Sequence, residues 1–289
     1  MREPTFIATV GMPGVGKTYQ NIQQIRKVLQ GNPSKNVKPQ KVLIFDCNNE
    51  YRNDNPDVRT AGIYITPIHI KQVSDFSASS YIQACRIAPF NNKGHPMSLD
   101  ELSNGLTTIM QRYRNGLLLA EDFKSFAGDS MKADLVSRLC TRRHSGSDTL
   151  VSVQDIGLIA PKVWMNLKWL RLHMIGDLII RYKDSYPGKI EYLSIAENMI
   201  RTKFYAGDER FYLMIDLTKG FIYGQYTPEE FNKATRQYIS QNWKNTVGRV
   251  QDERDDKWNK VHKDEKTAAA LVMNRYVESY SQYSTRLKR

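Results

Sequence analysis

Gly11-Met12-Pro13-Gly14-Val15-Gly16-Lys17-Thr18 reads GxxxxGKT, and it follows the apolar run Phe6-Ile7-Ala8-Thr9-Val10. A helical pattern comes next, with Ile22, Ile25, Val28 and Leu29 at helical spacing and Gly31-Asn32-Pro33 to stop it. Strand, glycine-rich turn and helix, in that order, are what a phosphate-binding loop requires. Glycine allows backbone angles that a side chain forbids, so successive N–H groups converge on phosphate oxygens. The helix N-terminus adds its partial positive charge at the same point. Lys17 is placed to reach the β- and γ-phosphates of ATP, and the Thr18 hydroxyl to ligate Mg2+. The expected nucleotide-binding set is Gly11, Met12, Pro13, Gly14, Val15, Gly16, Lys17, Thr18 and Tyr19.

Downstream, Lys41-Val42-Leu43-Ile44-Phe45-Asp46 is an apolar run ending in a carboxylate, which predicts a second strand buried on both faces and parallel to the first. Asp46 and Glu50 then stand at its carboxyl end, where ligands collect in an open α/β sheet. Residues 63–65 read as a short strand, and residues 79–87 as either a helix or a strand. Ser98 and Glu101 form a capping box for a helix with Leu99, Leu102, Leu106, Ile109 and Tyr113 on one stripe. Leu117-Leu118-Leu119-Ala120 runs into Glu121-Asp122, a buried strand ending in paired acids. A helix with Met131, Leu135 and Leu139 on one face closes on Arg142 and Arg143. Residues 149–154 give a further core strand tipped by Gln154, residues 161–172 look helical, and residues 175–181 read as strand.

From about residue 187 the pattern turns β-like, with residues 211–216 and 220–226 flanking a hairpin turn. Thr227 and Glu230 make a second capping box across Pro228. Residues 228–289 then read as helical with mixed charge, the run 252–257 being a solvated helix face. Val272, Tyr276, Tyr280 and Tyr283 form a stripe for packing.

Lys17, the acids after two strands and Gln154 therefore reach one carboxyl edge from distant parts of the chain. Phosphoryl transfer asks mainly for positioning and charge stabilisation, with one carboxylate at the Mg2+ shell and another to activate water. Glu121 is assigned to the metal with Thr18, Asp122 to the base, Glu50 to a substitute base, and Gln154 to sensing the γ-phosphate. Arg143 sits where it cannot easily fold back on its own nucleotide, so it is assigned in trans to a neighbouring subunit, which implies a ring.

The formal charge of +12 over 289 residues suits a phosphate-rich partner. Lys124, Lys162, Lys168 and Arg171 are the basic side chains expected to touch a DNA backbone without reading bases. Cys47, Cys85 and Cys140 are scattered and odd in number, which predicts neither a disulfide framework nor a zinc site. The first strand begins almost at once, so no signal peptide is expected, and no apolar run approaches the ~20 residues of a bilayer span.

The set GMPGVGKT, IFDCNNEY, LLLAEDF and RRHSGSDTLVSVQD resembles the HerA/FtsK superfamily of DNA-pumping ATPases. It is especially similar to viral genome-packaging ATPases and to the zonular occludens toxin-like assembly proteins of filamentous phages. The resemblance covers about residues 4–185 and rests on Asp46, Glu50 and Tyr51 after the second strand, and on Arg143, Gly146 and Gln154. It implies an α/β, RecA-like P-loop NTPase core with a mostly parallel central sheet, a β-hairpin addition and a helical C-terminal segment, divided as residues 1–226 and 227–289. It further implies an ATP-hydrolysing DNA translocase, a homo-oligomeric ring of roughly five or six subunits, a capsid or portal-type vertex as partner, and a place in the host cytoplasm or virion. Two departures stand out. The usual Asp-Glu pair is reversed to Glu121-Asp122, and the membrane span that follows the ATPase domain in the toxin-like branch has no counterpart here. The rivals are an ATP-gated assembly or extrusion factor that pumps no DNA, and a P-loop kinase.

Overall fold

Val42 to Phe45 and Leu117 to Ala120 are buried without interruption, which is why they read as continuous apolar runs and why they take the centre of a parallel sheet. The computed structural model describes residues 4–91, 93–122, 137, 146–186, 188–262 and 264–287. The chain divides into two compact units, residues 1–177 with 216–218, and residues 178–215 with 219–289. The expected boundary at 226/227 differs from this division, because residues 178–215 contribute a helix that packs with those further on.

The first unit is built on β1 (Phe6–Val10), β2 (Lys41–Phe45), β3 (Ile65–Pro67), β4 (Ala84–Ile87), β5 (Gly116–Ala120), β6 (Asp148–Val153) and β7 (Trp169–Leu172). They lie in the order β3-β4-β2-β5-β6-β1-β7, and the ladders between neighbours are parallel. The connecting helices are α1 (Lys17–Gln30), α2 (Pro56–Ala61), α3 (Val73–Ala78), α4 (Leu99–Arg112) and α5 (Pro161–Asn166). Ile22, Ile25, Val42, Ile44, Leu117, Leu119 and Leu150 share one core cluster, so the buried stripe of α1 lies directly on the sheet. The order matters for chemistry. It places β6 between the loop-bearing β1 and the acid-tipped β5, and β2 beside β5, so distant segments end side by side.

The capping box of α4 forms in full: Glu101 N–H donates to Ser98 Oγ (3.2 Å) and Ser98 N–H to Glu101 Oε2 (2.7 Å). Leu99, expected on the buried stripe, is instead 63% exposed, since the first helical position points off the apolar face. Residues 79–87 resolve as β4 preceded by irregular chain, and the strand expected at 63–65 starts at Ile65.

Two corrections concern the stretch after β6. The helix expected over residues 161–172 stops at Asn166, and Trp169–Leu172 is β7, aligned on β1 from Ile7↔Trp169 to Val10↔Leu172. The strand expected over residues 175–181 is absent, and a short 3-10 turn, Ile179–Tyr182, stands there.

In the second unit, the β-like pattern expected from residue 187 gives way to α6 (Ile190–Tyr205). Ile190, Leu193, Ala196 and Ile200 are buried at helical spacing, and burying that face outweighs the strand preference of its β-branched and aromatic residues. α6 packs against α7 (Pro228–Gln241), with Asn198 Nδ2 donating to Ala234 O at 3.3 Å. The expected hairpin is present as β8 (Leu213–Asp216) and β9 (Phe221–Tyr223), and the capping box of α7 forms between Thr227 and Glu230. α8 (Val247–Gln251) and α9 (Glu265–Leu287) follow. Between them the run 252–257 is no helix face. Asp255 Oδ1 accepts the N–H groups of Lys257 (2.9 Å) and Asn259 (2.8 Å), a local turn that competes with helix. Val272 is buried, and Tyr276 meets Tyr238 edge-on at 6.4 Å. No helix among the described residues is long and apolar enough to cross a membrane.

Candidate nucleotide site

Gly14 and Gly16 take φ of 84° and 83°, the left-handed region that a side chain disfavours, and they turn the chain from β1 into α1. The first residues of the loop are anchored on both sides. Gly11 N–H donates to Val153 O (3.3 Å) and Met12 N–H to Met174 O (2.8 Å). Gln20 N–H bonds back to Gly16 O at 3.0 Å. The N–H groups of Gly14 through Thr18 find no protein acceptor among the described residues, so they form a cradle of donors at a helix N-terminus.

Gly11 is fixed by contact rather than by φ. A Cβ there would lie 2.6 Å from His173 Cβ, 2.9 Å from Val15 Cγ2 and 3.2 Å from Met174 O. Gly11→Ala is therefore expected to displace the loop and weaken nucleotide binding by about tenfold or more, as overpacking of a tight site costs about 1–3 kcal/mol. Titration with a fluorescent nucleotide measures it.

His173, which follows β7, lies wholly buried behind the loop with Nδ1 3.1 Å from Val15 O. A carbonyl only accepts, so the neutral ring carries its proton on Nδ1. Burial first, then the charges of Arg171 and Lys17, push its pKa down to about 3. An unfolded imidazole titrates near 6.5, so between these values the unfolded chain binds the extra proton. The stability His173 contributes is complete above about pH 6.5 and is lost as pH falls toward 3. A melting temperature that declines through this window is expected, with a smaller decline in His173→Asn.

Lys17 Nζ donates to Gly11 O (2.5 Å) and Met12 O (2.9 Å), folded over the mouth of its own loop. Burial lowers its pKa, while Glu121, then Glu50, then Asp122 oppose that shift electrostatically. Three carboxylates from two strand tips thus act on one amine. The Thr18 hydroxyl donates to Glu50 Oε2 at 2.5 Å.

Glu121 is 4% exposed and belongs to a buried network. Tyr51 OH donates to its Oε1, and Asn21 Nδ2 donates to the same atom at 2.7 Å. Burial pushes its pKa up, against the pull of the hydrogen bonds from Tyr51 and Asn21. Asn21 Oδ1 in turn accepts from Arg171 Nη1 at 2.8 Å. Arg171, expected on a DNA-facing surface, is 4% exposed and committed to this network. Asn21 and Arg171 are the site residues that the sequence reading missed. The available signal was an amide on the buried stripe of α1, one helical turn beyond Lys17.

Asp122 is half-buried and leaves β5 through φ 42°. Gln154 is exposed, one residue past β6 and next to the Val153 carbonyl that receives Gly11. Lys162 is exposed and Lys168 half-buried. Lys124, Arg142 and Arg143, with the helix carrying Met131, Leu135 and Leu139, lie outside the described residues. So does Cys140, while Cys85 is buried and Cys47 half-buried with its thiol pushed far up by burial. The described residues contain no cluster of three or more His, Cys, Asp or Glu suited to a metal. The Thr18–Glu50 oxygen pair nonetheless fits Mg2+, which is commonly held by one carboxylate, nucleotide oxygens and waters.

Fold and loop together define an α/β P-loop NTPase. No protein-family model matches the chain, and no curated protein is significantly similar to it in sequence. Among solved structures, the genome packaging NTPase B204 from Sulfolobus turreted icosahedral virus 2, in complex with AMP, superposes with a TM-score of 0.50. It is 15% identical, and the match covers 77% of this chain and 97% of that one. The same protein in complex with ATP-gammaS gives a TM-score of 0.48 at 13% identity, again with 77% and 97% coverage. The N-terminal domain of zonular occludens toxin from Neisseria meningitidis gives 0.31 at 14% identity, with 59% and 76% coverage. The first match supports a shared fold, and the two scores below 0.5 carry no weight.

Proposed function

We propose that the chain is an ATP-hydrolysing motor of the genome-packaging kind, acting as a ring and moving DNA toward a capsid or portal-type vertex in the host cytoplasm or virion. The observation that carries this is the cradle of N–H groups from Gly14 to Thr18, unpaired among the described residues, with the Lys17 amine folded onto the Gly11 and Met12 carbonyls and the Thr18 hydroxyl on the Glu50 carboxylate. The charges of Glu121, Glu50 and Asp122 act on Lys17. Such a centre suits phosphoryl transfer, in which charge stabilisation and positioning do most of the catalysis. The structural neighbour, a genome packaging NTPase, suggests the direction in which the turnover is used.

On this proposal Lys17 exchanges the Gly11 and Met12 carbonyls for the β- and γ-phosphates of ATP. Thr18 and Glu50 would hold Mg2+, which when bound neutralises charge on the phosphate oxygens. Asp122 orients and deprotonates the attacking water, and Gln154 reports on the γ-phosphate from beside the loop. Glu121, whose pKa burial raises, braces Tyr51 and Asn21 through its Oε1 rather than binding metal. Arg143 acts in trans on a neighbour's nucleotide, and Lys162 and Lys168 touch DNA phosphates.

Phosphate release measured with and without DNA tests the coupling. Stimulation is expected at low salt and should fall steeply as salt rises, since backbone binding releases counterions. A rate indifferent to DNA at low salt would point to ATP-gated assembly or extrusion instead. Mixing Arg143→Ala with Lys17→Ala subunits should restore some turnover, and rings without rescue would exclude a trans role.

A further inference from the structure

Asp46 follows β2 fully buried, and its carboxylate accepts from three donors. Oδ1 accepts the Glu50 N–H at 2.8 Å; Oδ2 accepts the Tyr51 N–H at 3.0 Å and Arg86 Nη1 at 2.9 Å. The same Arg86 nitrogen donates to Asn49 Oδ1 at 2.7 Å, and Asn49 holds the left-handed turn of this loop at φ 57°. Arg86 comes from β4, the neighbour of β2 on the side away from β5, and its side chain is 13% exposed.

On the far side of Glu50, its carbonyl accepts Asn55 Nδ2 at 2.7 Å. Asn55 is itself fixed as the N-cap of α2, accepting from Asp57 N–H at 2.8 Å. The backbone of Glu50 is therefore held at both its N–H and its C=O, and among the described residues its carboxylate has one hydrogen bond, from the Thr18 hydroxyl at 2.5 Å. Arg86 itself touches neither Glu50 nor the phosphate loop.

We infer that Arg86 is a positioning residue for the reaction: by bridging Asp46 and Asn49 it locks the 46–51 loop and thereby sets the Glu50 carboxylate against Thr18. A buried carboxylate without its cation is strongly disfavoured, and it relaxes by admitting water. That water competes for the two amide bonds that Asp46 accepts, and so frees the segment carrying Glu50. Arginine suits the place because one guanidinium nitrogen, held rigidly, serves two acceptors at a set angle, whereas a lysine ammonium reaches them on a flexible stem. The inference rests on the proposal that Glu50 serves the reaction, and its test separates the two.

Arg86→Ala and Arg86→Lys are compared for turnover, affinity for a non-hydrolysable ATP analogue, and hydrogen exchange at the amides of Glu50 and Tyr51. A misplacement of about 1 Å in a supporting element is enough for losses of roughly 10²-fold. Arg86→Ala is accordingly expected to lose about tenfold to a hundredfold in turnover, keep analogue affinity within about twofold, and speed exchange at those two amides while β2 and β5 stay protected. Arg86→Lys should lie between it and the parent, and it decides the matter should the alanine variant fail to fold. Repeated in a Glu50→Gln background, the Arg86 substitutions should lower turnover no further.

Full turnover in Arg86→Ala, unchanged exchange at Glu50 and Tyr51, or an undiminished loss in the Glu50→Gln background would each overturn the inference. Glu50→Gln as active as the parent would instead remove the role given to Glu50. The exchange measurement would still decide whether Arg86 holds the loop.

Discussion

Lys17→Ala is expected to reduce ATP turnover by at least about 10²–10³-fold, the loss seen when one preorganised charge-stabilising donor is removed from a reaction centre. The effect should exceed that of an ordinary phosphate contact because of what surrounds the amine. Glu50, Glu121 and Asp122 all act on it, and no other side-chain cation is placed on the loop itself. Without the ammonium, a triphosphate would meet the charges of these carboxylates with only backbone dipoles to offset their repulsion. Nucleotide affinity should therefore fall along with turnover, in contrast to a substitution that touches only the chemical step.

Lys17→Arg is a useful companion. It keeps the charge but replaces a compact ammonium with a planar fork, and the carbonyls of Gly11 and Met12 lie only 2.5 and 2.9 Å from the present nitrogen. Arginine should consequently restore binding better than turnover. Isothermal titration with an ATP analogue and a phosphate-release assay measure the two separately. A Lys17→Ala variant turning over within about threefold of the parent would remove the loop from the chemistry.

Much of this site is visible in the amino-acid sequence for a physical reason. A parallel strand covered on both faces has no polar alternation, so β2 and β5 appear as unbroken apolar runs, and the first polar residue marks the strand tip. Asp46 and Glu121 are those residues. What could not be read locally is how the tips share the work. Thr18 pairs with Glu50 because β2 lies beside β5 and the 46–51 loop turns back, and that depends on sheet order.

β7 escaped for a different reason. Val163, Leu167 and Leu170 continue a helical spacing across the end of α5, and Arg171 looks like a residue for a wet face. Its guanidinium is instead satisfied inside by Asn21 and Gln24, partners about 150 residues earlier in the chain. α6 was masked by Ile190, Tyr192, Ile195, Thr202, Phe204 and Tyr205, residues whose local preference favours strands. Packing against α7 decided that case.

Glu50→Gln is expected to separate binding from turnover, the reverse of Lys17→Ala. Glutamine has the shape of glutamate and still offers a carbonyl oxygen to the Thr18 hydroxyl, so the 2.5 Å contact need not be lost. Its backbone bonds to Asp46 and Asn55 are unaffected by the change, and the loop should stay in place. Only the negative charge beside Thr18 disappears. Turnover should then fall by about 10²–10⁴-fold, the range associated with a catalytic carboxylate, with analogue affinity nearly unchanged in the absence of divalent cation. The gain in analogue affinity on adding Mg2+ should shrink, because one hard oxygen donor has lost its charge. Asp122→Asn makes the informative contrast. It should lower turnover while leaving that Mg2+-dependent gain intact, since Asp122 is assigned to the water. Should Asp122→Asn abolish the gain and Glu50→Gln preserve it, the two carboxylates would exchange roles, and the Thr18–Glu50 hydrogen bond would mark the nucleotide-free state rather than the metal's position.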